Sequence, residues 1–273
     1  MAKRWLSLIL PLVTLLTSPP ARAEWRPAHP LDGLGSAEHW VVLEALRASG
    51  RLADDAVFVT VLLNEPPKTE VLAWQPGKPF RREALAVIRQ QQGAYEATVD
   101  VINKKVIAWR HIPGAHTMFT ESDYADAGEL MLDHPAVLAA LRRRGIDDIS
   151  TVGCWGYAPG VRPPGIAPER RIARGICADR RGVHNAIGRR IEGLDVLLDL
   201  DEQRVLHVHD VGPTVRSTAP TDFDAESLAP FASPMPPIEV RQPNGVGYRL
   251  DGNVVSWHDW RFHVRVDPRR GLV

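Results

Sequence analysis

Apolar and polar positions alternate along this chain in two periods, and the change from one to the other marks its elements. From Ser36 to Ala48 the spacing of Trp40, Leu43 and Leu46 predicts one apolar face of a helix, with Ser36 as N-cap and Gly50 closing it. Strand-like runs follow at Val57 to Leu63, Val71 to Trp74 and Arg82 to Ile88. The tetrapeptide Thr120-Glu121-Ser122-Asp123 is a capping-box pattern and opens a second helix to about Leu132. A third helix is expected from Pro135 to Arg144, stopped by Gly145, before strands at Thr151 to Trp155 and Arg171 to Ala178.

Two stretches match without gaps at an offset of 99 residues: Val99 to Ile107, and Leu198 to Leu206. Each is an apolar-Asp-apolar strand, a polar turn, a basic residue and a second apolar strand, which predicts a β-hairpin. Its recurrence, with a helix and further strands ahead of each copy, predicts a duplicated α+β unit of a helix and about four antiparallel strands. Beyond the second copy, prolines crowd from Pro213 to Pro237, which predicts an extended linker over 216–237. Short strands then return at Ile238 to Val240, Tyr248 to Leu250 and Val254 to Trp257. From Trp260 to Val266, the alternation of Trp260, Phe262, Val264 and Val266 predicts one strand with a single apolar face. With few residues following it, that strand reads as the opening of a larger β-domain.

Composition changes this picture in two ways. Lys3 and Arg4, an apolar run from Leu6 to Leu16 and Ala21-Arg22-Ala23 have the form of a secretory signal peptide cut before Glu24. The expectation is therefore a periplasmic or secreted protein with no membrane span after cleavage, because the run is too short to cross a bilayer. The whole chain carries 33 basic and 33 acidic residues. That balance offers no electrostatic case for a nucleic-acid partner.

The chemistry-bearing residues are few. Cys154 and Cys177 are the two cysteines. In an exported chain an even count is most simply one disulfide, and both lie in predicted strands, so a cross-strand bridge is expected; two buried free thiols are the alternative. His207 and His209, at i and i+2, share a strand face and are the candidate metal ligands. The repeat aligns them with Ala108 and Arg110, and a metal site needs a third convergent ligand, so a plain strand pair is the preferred reading. Asp199, Asp201 and Glu202 flank a turn and read as turn residues rather than a cation cluster. Arg142, Arg143 and Arg144 end a helix, where cations meet the negative end of its dipole. The remaining tryptophans read as packing residues.

The order of these features resembles the copper-containing amine oxidases, which use a topaquinone cofactor. The resemblance rests on His29-Pro30-Leu31, Asn64-Glu65-Pro66-Pro67-Lys68 and Ala73-Trp74 in the first repeat, and on Arg143-Arg144-Gly145-Ile146 and Ile191-Glu192-Gly193-Leu194 in the second. It continues through Gln242-Pro243, Leu250-Asp251-Gly252-Asn253, Val255, Trp257, Trp260 and the strand to Gly271. With the signal peptide (1–23) and the linker (216–237) read above, it implies two tandem cystatin-like domains (24–115 and 116–215) and the start of a truncated catalytic β-sandwich (238–273). Cys154 and Cys177 fall where some members bridge the second domain.

The family's reaction is oxidation of primary amines to aldehydes with release of ammonia and hydrogen peroxide. Its quinone forms from a tyrosine in an Asn-Tyr-Asp/Glu context, whereas Tyr95, Tyr124, Tyr157 and Tyr248 follow Ala, Asp, Gly and Gly. The resemblance therefore carries over no catalytic, cofactor-binding or metal residue, and copper and topaquinone are expected of full-length members rather than of these residues. The chain is expected to be inert alone. It is either an N-terminal fragment or one half of a split enzyme whose partner chain supplies the catalytic domain. A non-enzymatic periplasmic binding or assembly module is the alternative. The family is homodimeric; the resemblance fixes no oligomeric state for this fragment.

Overall fold

The computed structural model describes residues 26–185, 187–214, 221–224, 226–227, 235–267 and 271–273. The signal-like segment 1–23 lies outside them, as does most of 216–237.

The first unit opens with α1 (Ser36–Ala48), whose buried face is Val42, Ala45 and Leu46. Trp40 is exposed, contrary to expectation, because the sheet meets the helix one step round from the Trp40 spacing. The N-cap is Gly35 rather than Ser36, and the Glu38 carboxylate accepts the Gly35 amide at 2.8 Å. Four strands follow as an antiparallel meander in the order β1 (Val57–Asn64), β2 (Glu83–Gln90), β3 (Gly93–Asp100) and β4 (Lys105–His111). The run expected as a strand from Val71 to Trp74 is instead the end of α2 (Lys68–Ala73), with Trp74 as its C-cap. Pro66-Pro67 fixes a turn with Pro67 as N-cap, and a four-residue apolar run cannot by itself distinguish strand from helix. Val42, Ala45 and Leu46 pack on Ala84, Ala86, Ile88, Ala97, Val99 and Val101, which is the unit's core.

The second unit repeats this plan. Helices α3 (Glu121–Leu132) and α4 (Pro135–Arg143) pack on the meander β5 (Val152–Tyr157), β6 (Ile172–Asp179), β7 (Leu194–Asp199) and β8 (Arg204–Asp210). Its core gathers Ala127, Met131, Val137 and Leu141 against Ala173, Leu194, Val196 and Leu198. Gly128 lets α3 lie directly on β5: a Cβ there would stand 2.3 Å from the Cys154 carbonyl oxygen.

The two hairpins agree in detail at the offset of 99 residues. Both have a register shift at the same place, Thr98/Val99 and Leu197/Leu198. Both turns put a non-glycine residue in the left-handed region, Lys104 at φ 54° and Gln203 at φ 49°. In both an aspartate closes the turn, Asp100 accepting the Asn103 amide at 2.9 Å and Asp199 the Glu202 amide at 3.0 Å. Duplication is thus visible in backbone geometry as well as in residue type.

Cys154 and Cys177 are directly opposed across β5 and β6 and joined as a disulfide, with Cα atoms 4.1 Å apart. Reduction is expected to destabilise the second unit by about 3 kcal/mol on the loop-entropy argument. The measurement is a lower urea midpoint with reductant, absent from the Cys154→Ser/Cys177→Ser protein.

The last described part is a three-stranded antiparallel sheet of β9 (Tyr248–Asp251), β10 (Val254–Trp257) and β11 (Trp260–His263). Ile238 to Val240 is not a strand. The strand expected from Trp260 to Val266 is broken after His263. The Val264 amide still bonds the Asn253 carbonyl in the β10–β11 register, but Arg265 pairs with Val273, and β12 (Val266–Asp267) pairs with β13 (Gly271–Leu272). Leu250, Trp257, Trp260 and Phe262 remain exposed on the three-stranded sheet. No helix among the described residues is long and apolar enough to cross a membrane.

Candidate functional site

Two buried polar clusters hold the units together, and both are built on the same device. In each unit the third helical residue is acidic and caps its own helix, while an arginine just before the second strand of the sheet reaches over to pair with it. In the first unit these are Glu38 and Arg82, 2.7 Å apart, with Arg82 also donating to the carbonyls of Asp32 and Gly33 at 2.6 Å. In the second they are Asp123 and Arg171, each 3% exposed in its side chain. The Asp123 carboxylate accepts the Thr120 amide at 2.7 Å and the Thr120 hydroxyl at 2.9 Å. Buried arginines need such partners, because an unpaired charge away from water is costly.

The junction between the units grows from the second copy. Arg89 on β2 of the first unit reaches Asp123 at 3.4 Å. Asp201, after β7, accepts the Arg171 amide at 2.9 Å and stands 3.5 Å from its guanidinium. Burial, then the nearby Asp199 charge, pushes the Asp201 carboxyl up to about 6, against the opposing pull of Arg170, Arg89 and His116. A raised folded pKa means the native state binds the proton more tightly than the unfolded chain. Stability contributed by protonated Asp201 is therefore present below about pH 4 and is lost as pH rises through about 6. Asp201→Asn keeps the acceptor and removes the titration. It is expected to gain roughly 1 kcal/mol at pH 7.5 relative to wild type and to match it at pH 4, read from urea unfolding at both pH values.

The second cluster ties the first unit to the C-terminal sheet. Asp32 accepts the amides of Ala28 and His29 at 2.7 and 2.8 Å, the Asn253 side-chain amide at 3.0 Å and the His263 Nε2–H at 2.8 Å. Burial would raise this carboxyl, but the His263 and Asn253 bonds and the two amides hold it below its ordinary value. The His29 and His263 rings stack at 4.5 Å, and Trp74 meets His29 edge-on at 5.0 Å. Burial, then the neighbouring His263, lowers the His29 pKa and favours its neutral form. Arg265 adds a bond to the Leu31 carbonyl and an ion pair with Glu65.

The residues singled out in the sequence lie elsewhere. His207 and His209 are exposed on β8, opposite Leu197 and Asp195. His209 and Asp195 occupy the places that Arg110 and Glu96, an ion pair, hold in the first hairpin. Among the described residues no three His, Cys, Asp or Glu side chains converge as metal ligands, so these residues do not fit a copper centre. Asp199 accepts the Asp201 and Glu202 amides, both at 3.0 Å, and the Arg170 guanidinium, as a turn residue would. Arg143 and Arg144 leave the end of α4 to clasp Asp210 on β8, and the Arg144 bond, followed by that of Arg143, holds that carboxyl far below its ordinary value. Within the linker, Asp222 accepts the His184 and Asn185 amides at 2.8 and 2.6 Å, so this part of it is docked on the second unit. Sequence reasoning missed Asp32, Arg82, Arg89 and Arg171. The available signal was the arginine immediately before the second strand in both repeats.

A doubled unit of helix and antiparallel meander, whose copies are joined by Arg89 and Asp123 and tied to a third sheet through Asp32, Asn253 and His263, places the chain among α+β proteins of repeated architecture. Residues 29–112 match the family described as copper amine oxidase, N2 domain. Over 92% of its length the chain is 27% identical to primary amine oxidase of Klebsiella aerogenes, and over 90% it is 27% identical to the peroxisomal N-methylputrescine oxidase 1 of Nicotiana tabacum. Copper-containing benzylamine oxidase from Hansenula polymorpha shares the fold over 89% of this chain, with a TM-score of 0.71 and 19% identity. The chain spans 34% and 37% of those two relatives' own lengths, about a third, and 41% of the benzylamine oxidase chain. It is thus related to the copper amine oxidases over their N-terminal portion.

Proposed function

We propose that these residues are the N-terminal, scaffold-forming part of an exported copper/topaquinone amine oxidase. In this reading the two repeated units are cystatin-like domains and the C-terminal sheet leads into the catalytic β-sandwich. The reaction served is oxidative deamination of a primary amine to aldehyde, ammonia and hydrogen peroxide. The observation that carries the reading is the alignment of nine-tenths of the chain with the first third of such enzymes. The exposed apolar side chains of Leu250, Trp257, Trp260 and Phe262 support it, because a patch of this kind marks a surface that another domain covers.

Copper ligands, quinone tyrosine and catalytic base would then come from a catalytic part outside residues 24–273, in the same chain or in another. The signal-like residues 1–23 support export to the periplasm or beyond. The role of the residues described here is to hold the first unit, the second unit and the C-terminal sheet in fixed relation through Asp123 and Asp32. The test is to purify this chain with copper and assay amine-dependent peroxide formation and quinone absorbance. No signal is expected; turnover above a copper-only blank would overturn the assignment of a non-catalytic scaffold.

A further inference from the structure

We propose that the contact between the first unit and the C-terminal sheet is an acid-released latch. The stacked imidazoles of His29 and His263, closed over Asp32, hold the sheet at neutral pH, and a proton taken up by His29 loosens it. The latch belongs to these residues and does not depend on which reaction the complete protein performs.

Its parts come from distant places in the chain. His29 and Asp32 stand in the turn ahead of α1, where the Asp32 amide donates to the His29 carbonyl at 3.0 Å, and His263 ends β11. The two rings lie 4.5 Å apart and within 19° of parallel. The His263 side chain is 5% exposed and that of Asp32 8%, so their bond at 2.8 Å, across 231 positions of sequence, is shielded from water.

Hydrogen bonding fixes where each ring carries its proton. The His29 Nδ1 accepts the Leu31 amide at 3.1 Å, which needs a lone pair on that nitrogen, so the neutral ring holds its hydrogen on Nε2. A second proton can enter only at Nδ1. It would face the Leu31 N–H, donor against donor, and the new cation would lie flat on the His263 ring. His263 donates Nε2–H to Asp32 whether neutral or charged, so its own titration leaves that bond in place.

The charges around His29 pull in both directions. Asp32, in its own turn, favours the imidazolium. Burial, then His263 and Arg261 from β11, oppose it and prevail, holding the His29 pKa below its ordinary value. Arg26 ahead of the turn and Asp251 at the end of β9, of opposite sign, line the cavity beside the ring, and Trp74 from the end of α2 presents an uncharged edge. Arg265 is paired with Glu65, and Arg82, which donates to the Asp32 carbonyl, with Glu38.

The docked chain therefore binds this proton less tightly than the released one. Docking is at full strength above the ordinary imidazole value of about 6.5 and weakens as pH falls below it. Asp32, whose carboxyl is also held low, loses its share only below the ordinary carboxylate value of 3.8, outside that window. Asp201 acts in the opposite sense at the other junction, so only a local measurement isolates the latch.

The experiment is amide hydrogen exchange of the full chain at pH 7.5 and 5.5, expressed as protection so that the intrinsic pH dependence of exchange is removed. Protection of residues 250–263 is expected to fall at least threefold at pH 5.5, under a ceiling of about tenfold set by one ordinary imidazole a pH unit below its pKa. The Val99–Val106 hairpin is expected to keep its protection. His29→Asn, which offers an acceptor to the Leu31 amide without titrating, is expected to abolish the pH dependence. Should that variant fold poorly, an NMR titration of the wild-type His29 ring is expected to place its pKa below 6.5. Unchanged protection of 250–263, an equal fall in the hairpin, pH dependence that survives in folded His29→Asn, or a His29 pKa at or above the ordinary value would overturn the proposal.

Discussion

Replacing Asp123 with alanine will destabilise the protein by about 3–5 kcal/mol, the range seen when one partner of a buried ion pair is removed. Three losses coincide at this carboxylate. The Thr120 amide loses its acceptor at the start of α3, buried Arg171 loses its counter-charge, and Arg89 loses its contact across the junction. Arg171 already leaves Nε and one terminal nitrogen without a hydrogen-bond partner, and the carboxylate left near it would be Asp201, 3.5 Å from its guanidinium. Urea unfolding monitored by far-UV circular dichroism measures the loss. A change below about 1 kcal/mol would mean that Asp123 acts only as a cap. Asp123→Leu combined with Arg171→Met should recover part of the stability, because Arg171 is then no longer buried without its counter-charge, while the Thr120 amide and Arg89 still lack Asp123.

The second large effect is expected at Asp32. Its carboxylate answers four donors, two from its own turn and two from residues more than 220 positions away. Asp32→Ala should cost about 3 kcal/mol and should act locally first, freeing the sheet of β9–β11 from the first unit. Amide hydrogen exchange of residues 250–263 is expected to quicken roughly a hundredfold, while the Val99–Val106 hairpin keeps its protection. Equal acceleration in both places would show that Asp32 supports the first unit as a whole rather than tying it to the sheet.

The sequence was most legible where structure is local. The bounds of α1, the Thr120–Asp123 start of α3 and the two hairpins are written in patterns a few residues long, and the offset of 99 residues carried through to bulge, turn and capping aspartate. It was least legible where partners are distant. Nothing near Asp32 announces Asn253 or His263, and Asp123 reads as a helix cap alone until Arg89 and Arg171 are brought to it. Two apolar runs misled for a physical reason. Val71 to Trp74 is too short for period to decide, and Pro66-Pro67 started a helix there. From Trp260 to Val266 the alternation continues, but the backbone changes partner after Val264, a change that side-chain pattern does not record. In the second hairpin His209 faces Asp195 across the strands, where the first hairpin has the Arg110–Glu96 ion pair.

The agreement of the two hairpins has a practical consequence for building with this chain. Because bulge, turn aspartate and left-handed residue coincide, residues 101–104 and 200–203 share one backbone geometry and differ in side-chain duty chiefly where exposed Ile102 stands for Asp201, the acceptor of the Arg171 amide. A chimera carrying the first turn in the second unit should fold with its register intact provided that Asp201 is kept, and each unit can then lend its turn for engineering the other.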